Sequence, residues 1–243
     1  MSRYPAPAIL DLPDDIRAKV LEVQEKSGFV PNVFLALARR PAEWRAFFAY
    51  HDALMLREES GLSKGDREMI VTTTSAANNC LYCVVAHGAI LRIYEKKPLV
   101  ADQVAVNYRK ADITPRQRAM LDFAMKVCLR SAEIEDSDFT ALHAHGFGDE
   151  DIWDIGAITA FFGLSNRMAN LTAMRPNDEL GLLLTSATTS SPFHQNHSMK
   201  PRLFPPCVVA SPCRTNSAAA GLRLAWRKNP SVSLRNDFGE TDY

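Results

Sequence analysis

The chain has 243 residues, and its 28 Lys and Arg balance its 28 Asp and Glu, so the formal net charge is zero. A balanced charge gives no overall attraction to nucleic acid or to an anionic membrane, and we expect neither as a partner. No basic and apolar leader opens the sequence, and no apolar run approaches the ~18 residues of a membrane span. The expected location is therefore the cytoplasm.

The first 180 residues predict helices and no strands, because apolar residues recur at helical spacing and no stretch alternates with a period of two. Pro residues open several of these helices, Ser63 is a candidate cap, and Gly28 ends the first one. Helices are predicted over 13–27, 31–39, 41–58, 64–77, 80–95, 99–108, 114–131, 136–145 and 150–174. The predicted fold is all-α.

The composition changes after residue 180. Residues 186–220 are rich in Ser, Thr, Pro and Ala and have almost no helical period, which is typical of a segment that cannot bury a core. We therefore predict an all-helical domain over 1–180 and a largely disordered tail over 181–243.

Two stretches resemble each other at an offset of 51 residues, which indicates two related helical units. Residues 62–70 (LSKGDREMI) and 113–121 (ITPRQRAML) share an apolar residue followed by Ser or Thr, an Arg and a Met. The second unit lacks the reactive side chains found in and after the first stretch, so we interpret it as structural support.

Those reactive side chains are Glu68, Cys80, Cys83 and His87. Successive helical residues are rotated by about 100°, so the two cysteines and the histidine lie within one stripe of a helix. The Asn78–Asn79 pair precedes them and supplies good N-cap residues, which would put Cys80 at the first helical position.

A helix start favours a thiolate over a thiol, since its unpaired N–H groups and the positive end of the helix dipole lie there. We therefore expect the helix start to make the Cys83 thiol acidic. His87, one turn beyond Cys83, is placed to take the thiol proton. Glu68 must come from another helix, and a carboxylate bonded to an imidazole can fix its tautomer and relay its proton. The pattern predicts a thiol pair with a proton path.

The spacing of this quartet resembles that of the alkylhydroperoxidase D-like (AhpD-like) family within the carboxymuconolactone decarboxylase superfamily. Three further segments resemble its subgroup of peroxidase-related enzymes: residues 28–41 (GFVPNVFLALARRP), 113–127 (ITPRQRAMLDFAMKV) and 166–179 (NRMANLTAMRPNDE). The resemblance covers about residues 10–180. It implies an all-helical fold, assembly as a homo-oligomer, often a trimer or hexamer, and reduction of hydroperoxides through the cysteine pair.

The same resemblance implies residue roles. Cys83 would be the peroxidatic thiolate, Cys80 the resolving thiol, His87 the base and Glu68 the far end of the proton relay. No bound cofactor is implied, but an external dithiol must reopen the disulfide, carried by a lipoyl group or a thioredoxin-like protein. The chain departs from the best-known members at Tyr82, where they carry a further polar residue or a histidine, and in its long tail.

Other interpretations stay open. Two cysteines, a histidine and a glutamate could also bind zinc, although such sites usually take a second ligand pair from another close-spaced motif that this chain lacks. The cysteines could simply pack in a core. The chain could be a decarboxylase-type enzyme that uses only His87 and Glu68, or a redox sensor without turnover. We interpret Cys128 as a packing residue, and His51 as a core or pocket-lining histidine.

Overall fold

The computed structural model describes residues 2–180, and within that range the chain is helical, with no strand. The predicted all-α fold is confirmed, whereas the predicted tail, 181–243, lies outside the described residues. The helices are α1 (Asp14–Ser27), α2 (Asn32–Leu37), α3 (Pro41–Met55), α4 (Lys64–Ala77), α5 (Leu81–Glu95), α6 (Val100–Asn107), α7 (Pro115–Arg130), α8 (Asp136–Ala144) and α9 (Asp149–Leu171). In this part of the chain no helix is both long and apolar enough to cross a lipid bilayer.

Most predicted helix ends agree with the structure. Gly28 closes α1 in the left-handed conformation, with φ of 81°, as a C-terminal glycine should. The third helix ends earlier than predicted, at Met55, and the buried Arg67 guanidinium binds the carbonyls of Met55 and of Arg57 just beyond it, at 2.9 and 2.6 Å. The carbonyls at the end of α3 are thereby satisfied by a cation, which also suits the helix dipole.

Helix α4 lies at the centre of the fold and packs against α5, α6, α7 and α9. Residues 65–75 of α4 are all buried. The largest core cluster forms around it, with Met69 and Ile70 from α4, Leu121 from α7, and Ile155 and Ile158 from α9 all fully buried. The helix that carries Glu68 is therefore held from every side.

The two stretches with similar sequences both form helix starts. Ser63 caps α4 and Thr114 caps α7, each in a reciprocal capping box, with Asp66 and Gln117 as the respective partners. A hydrogen bond joins the two capping boxes: Gln117 Nε2 donates to Asp66 Oδ1 at 3.1 Å. The two units differ after these helices: α4 is followed directly by α5, whereas α7 is followed by a short 3₁₀ turn and then α8.

Replacing Ile158 tests this packing. Ile158→Ala should lower the free energy of unfolding by about 2–5 kcal/mol, because the side chain is fully buried and its removal leaves a cavity. Urea denaturation measures the change. Leu129→Ala is the control, since Leu129 is 57% exposed and its loss should change stability by less than about 0.5 kcal/mol. Equal midpoints for the two variants would contradict this packing.

Candidate active site

A tight corner joins α4 to α5. Asn78 follows the last residue of α4, and Asn79 takes the left-handed conformation, with φ of 52°, which asparagine tolerates better than most residues. The N–H of Cys80 then donates to the Ser75 carbonyl at 2.9 Å. The prediction that Asn78 and Asn79 supply the N-cap of α5 is wrong. They form the corner, and Cys80 is itself the N-cap of α5.

Helix α9 holds this corner through Asn166, which is completely buried. Its Nδ2 donates to Ser75 Oγ and its Oδ1 accepts from Asn78 Nδ2, both at 2.9 Å. Asn170, one turn later, donates to the Asn78 carbonyl at 3.3 Å. The sequence offered Asn166 only as part of a family-like segment, and its role was missed because these bonds join residues about 90 positions apart.

Cys80 and Cys83 are paired as a disulfide, with Cα atoms 5.4 Å apart, inside the usual range for such bonds. Cys80 lies outside the helix in an extended conformation, while Cys83 completes the first turn of α5. The Cys83 N–H donates to Cys80 Sγ at 3.3 Å. The N–H group at the helix start is thus directed at Cys80, whereas the sequence prediction had given that effect to Cys83.

His87 and Glu68 meet between α5 and α4. The Nδ1–H of His87 donates to Glu68 Oε2 at 2.7 Å, and both side chains are largely buried. Because the carboxylate accepts this bond, the neutral ring carries its lone pair on Nε2, the atom that a general base uses. Cys83 and His87 lie four residues apart on α5, which places them on one face of the helix. The structure therefore brings together the polar pair that the sequence predicted.

His51 of α3 forms a second histidine–carboxylate pair nearby. Its Nδ1 is 2.9 Å from Asp52 Oδ1, and its ring contacts Phe161 and Phe162. Phe162 also contacts the His87 ring, edge to face, with centroids 4.8 Å apart. Burial lowers the pKa of His51, which favours the neutral ring, and the charge of His87 acts in the same direction. The predicted core or pocket-lining position of His51 agrees with this environment.

Tyr82 and Cys128 differ in burial. Tyr82 is 5% exposed, and its hydroxyl accepts the Val33 N–H of α2 at 3.3 Å. Burial raises the pKa of Tyr82 to about 12, so the phenol stays protonated near neutral pH. Cys128 is half-buried near Asn78, and burial raises the pKa of its thiol as well. Tyr82 packs in the same cluster as the sulfur pair, whereas Cys128 belongs to no core cluster of the described residues, so its packing role stays a prediction.

Residues 174–180 cover the sulfur pair. Met174 and Leu180 pack in the same cluster as Cys80 and Cys83, whose exposed fractions are 0% and 1%. A clasp between two asparagines fixes this segment to the start of α2. Asn177 Oδ1 accepts the Asn32 N–H at 2.8 Å, and Asn32 Nδ2 donates to the Arg175 carbonyl at 2.8 Å.

No group of three or more His, Cys, Asp and Glu side chains within residues 2–180 is arranged to hold a metal ion.

Comparison with known proteins relates this geometry to a family. The model of the carboxymuconolactone decarboxylase family matches residues 41–98, which contain all four predicted site residues. A crystal structure from Ralstonia eutropha JMP134, described as an alkylhydroperoxidase AhpD core and an uncharacterized peroxidase-related protein, is 75% identical. The match covers 75% of this chain and 96% of that chain, with a TM-score of 0.74. The chain belongs to the AhpD-like family of the carboxymuconolactone decarboxylase superfamily.

Other solved structures agree with this membership. An uncharacterized peroxidase-related protein from Silicibacter sp. TM1040 is 46% identical over 74% of this AhpD-like chain and 93% of its own, with a TM-score of 0.70. The debrominase Bmp8 shares the fold, with a TM-score of 0.60 over 75% of this chain and 96% of its own, but only 19% identity. No curated protein matches the chain.

The corner network predicts a stability difference. Asn166→Ala should lower the free energy of unfolding by about 1–3 kcal/mol, because Ser75 and Asn78 lose buried partners. Asn170→Ala removes one weaker bond at a more exposed position and should change it by less than about 1 kcal/mol. Urea denaturation of the oxidised protein measures both changes. An Asn166→Ala variant as stable as Asn170→Ala would show that α9 does not hold the corner.

The lowered pKa of His51 predicts a pH dependence of stability. The unfolded chain binds a proton at His51 at a higher pH than the folded chain does, so the free energy of unfolding should fall as the pH drops below the ordinary histidine pKa of ~6.5. His51→Gln removes this contribution and should flatten the fall between about pH 7.5 and pH 5. Denaturant titrations across that range measure both slopes. A steeper slope for the variant would give His51 a raised pKa instead.

Proposed function

We propose that this AhpD-like chain is a thiol-dependent peroxidase that reduces alkyl hydroperoxides or hydrogen peroxide. The observation that carries the proposal is the Glu68–His87 hydrogen bond of 2.7 Å, one turn of α5 away from Cys83 and its disulfide partner. A polarised imidazole next to a thiol pair is the arrangement that activates sulfur as a nucleophile. Family membership and the peroxidase-related structures support the same chemistry.

The first step oxidises Cys83. His87 Nε2 takes the thiol proton, and the thiolate attacks the distal oxygen of the hydroperoxide. The O–O bond breaks, a sulfenic acid forms on Cys83, and the leaving alkoxide receives the proton from His87. Glu68 stabilises the imidazolium that exists between these two proton transfers. An alcohol, or water when the substrate is hydrogen peroxide, is released.

The second step forms the disulfide. The Cys80 thiolate attacks the Cys83 sulfur, and the sulfenic oxygen leaves as water after it takes up a proton. The N–H of Cys83 donates to Cys80 Sγ and stabilises negative charge there, which suits a resolving thiol. An external dithiol, on a lipoyl group or a thioredoxin-like protein, then reduces the pair by exchange. We propose that the working form is a homo-oligomer.

Mass spectrometry of the reduced protein after one equivalent of an organic hydroperoxide tests the proposal. We expect a link between Cys80 and Cys83 in the wild type and a sulfenic acid on Cys83 in Cys80→Ser. Cys83→Ser should abolish peroxide consumption with a dithiol, and His87→Gln should slow it by roughly 10²–10³-fold, the usual effect of losing an acid–base group. Cys128→Ser is the control and should retain the wild-type rate.

The outcomes separate the other functions. Full turnover of a carboxylated lactone by Cys83→Ser would favour an acid–base enzyme that uses only His87 and Glu68. Oxidation of the cysteine pair without turnover in the presence of a dithiol would favour a redox sensor. A Cys83 that stays unmodified by hydroperoxide would exclude the proposed peroxidase.

A further inference from the structure

A large groove lies between α3 and α9, apart from the cysteine pair. Its volume is about 890 Å³, within the range of small-molecule sites. The walls are mainly apolar and aromatic and include Trp44, Phe47, Phe161, Leu164 and Met168. The walls can bury the hydrocarbon or ring system of a ligand, which is the main source of affinity in such sites.

One positive charge at the rim of this groove has no acidic partner. Arg40 and Glu43 both line the groove and pair with each other at 2.5 Å. Arg39 also lines it, stacks over the Tyr4 ring at 5.0 Å, and forms no ion pair with any residue in the described range. A planar guanidinium presents donors in the geometry that a carboxylate accepts. The groove therefore combines an apolar body with a single unpaired cation at its edge.

We propose that this groove binds a small amphipathic carboxylate, a molecule with an apolar body along α3 and α9 and one carboxylate at Arg39. A concave site with one charge at its edge complements a small molecule with one charged end better than it complements a flat protein face. The site is separate from the sulfur pair but shares a wall with it, because Ala36 of α2 lines the groove and also packs in the cluster of Cys80 and Cys83. The proposal does not depend on peroxidase activity.

Fluorescence titration with dodecanoate tests this site. Trp44 is buried in the groove wall and reports binding once Trp153 and Trp226 are replaced by Phe. We expect saturable binding of dodecanoate and weaker binding of dodecanol, which lacks the charge. Arg39→Gln should weaken dodecanoate binding about threefold to fivefold, the size of an exposed ion pair, and leave dodecanol binding unchanged.

A matched control is available at Arg109, which stacks on Tyr108 at 4.9 Å just as Arg39 stacks on Tyr4 but lies outside the groove. Arg109→Gln should bind dodecanoate like the wild type. Ala160→Phe places a large ring inside the groove and should weaken binding of both probes more than tenfold. Ala49→Phe, on an exposed position of α3 that does not line the groove, is its control.

Three results would overturn the proposal. The first is the absence of saturable dodecanoate binding in the folded protein. The second is an equal affinity in Arg39→Gln and Arg109→Gln, which would mean that no carboxylate sits at Arg39. The third is a loss of oligomer mass in sedimentation of Ala160→Phe without dodecanoate binding by the wild type, which would make the groove a contact between copies of the chain.

Discussion

Asn166 reaches from α9 and bonds both sides of the corner where α4 turns into α5. Since only Asn78 and Asn79 separate the end of α4 from the N-cap of α5, the second helix must fold back along the first. That return brings His87 to Glu68 and leaves Cys80 outside the helix, where it can pair with Cys83. The geometry of the site thus depends on a buried amide that touches none of the reactive atoms.

Burial influences the protonation of His51 and the strength of the Glu68–His87 hydrogen bond. A proton on His51 would oppose the positive charge that His87 would hold in the proposed proton transfer, and both rings lie against Phe162. Burial lowers the pKa of His51 and so favours its neutral ring, while the Glu68 carboxylate is hydrogen-bonded to His87. The same dry surroundings strengthen the Glu68–His87 bond, because little water competes for it.

Local patterns were enough to predict the helices. Most helix ends were predicted to within a few residues from capping residues such as Ser63, terminating residues such as Gly28 and the spacing of apolar residues. The position of Cys83 and His87 on one helix face followed from the rotation of about 100° per residue. The pairing of Glu68 with His87 was proposed from the chemistry of the two groups, and the family resemblance implied the same relay, but no local rule specifies that α4 and α5 pack together. The burial of residues 65–75 of α4 on every side was not predicted, because the Asp, Arg, Glu and Thr residues in this stretch interrupt any apolar pattern.

The asparagine clasp holds residues 174–180 over the sulfur pair. In the proposed cycle this cover would hinder reduction of the disulfide by a dithiol more than oxidation by a hydroperoxide. The proposed hydroperoxide substrate is a compact molecule, but the proposed dithiol, if tethered to a carrier protein, would have to bring much larger bulk up to sulfurs that are almost fully enclosed. Detachment of Asn177 from Asn32 would be the opening event that admits the carrier, a local unfolding of the kind that proteins undergo without losing their fold. Regeneration, not oxidation, would then set the pace of the cycle.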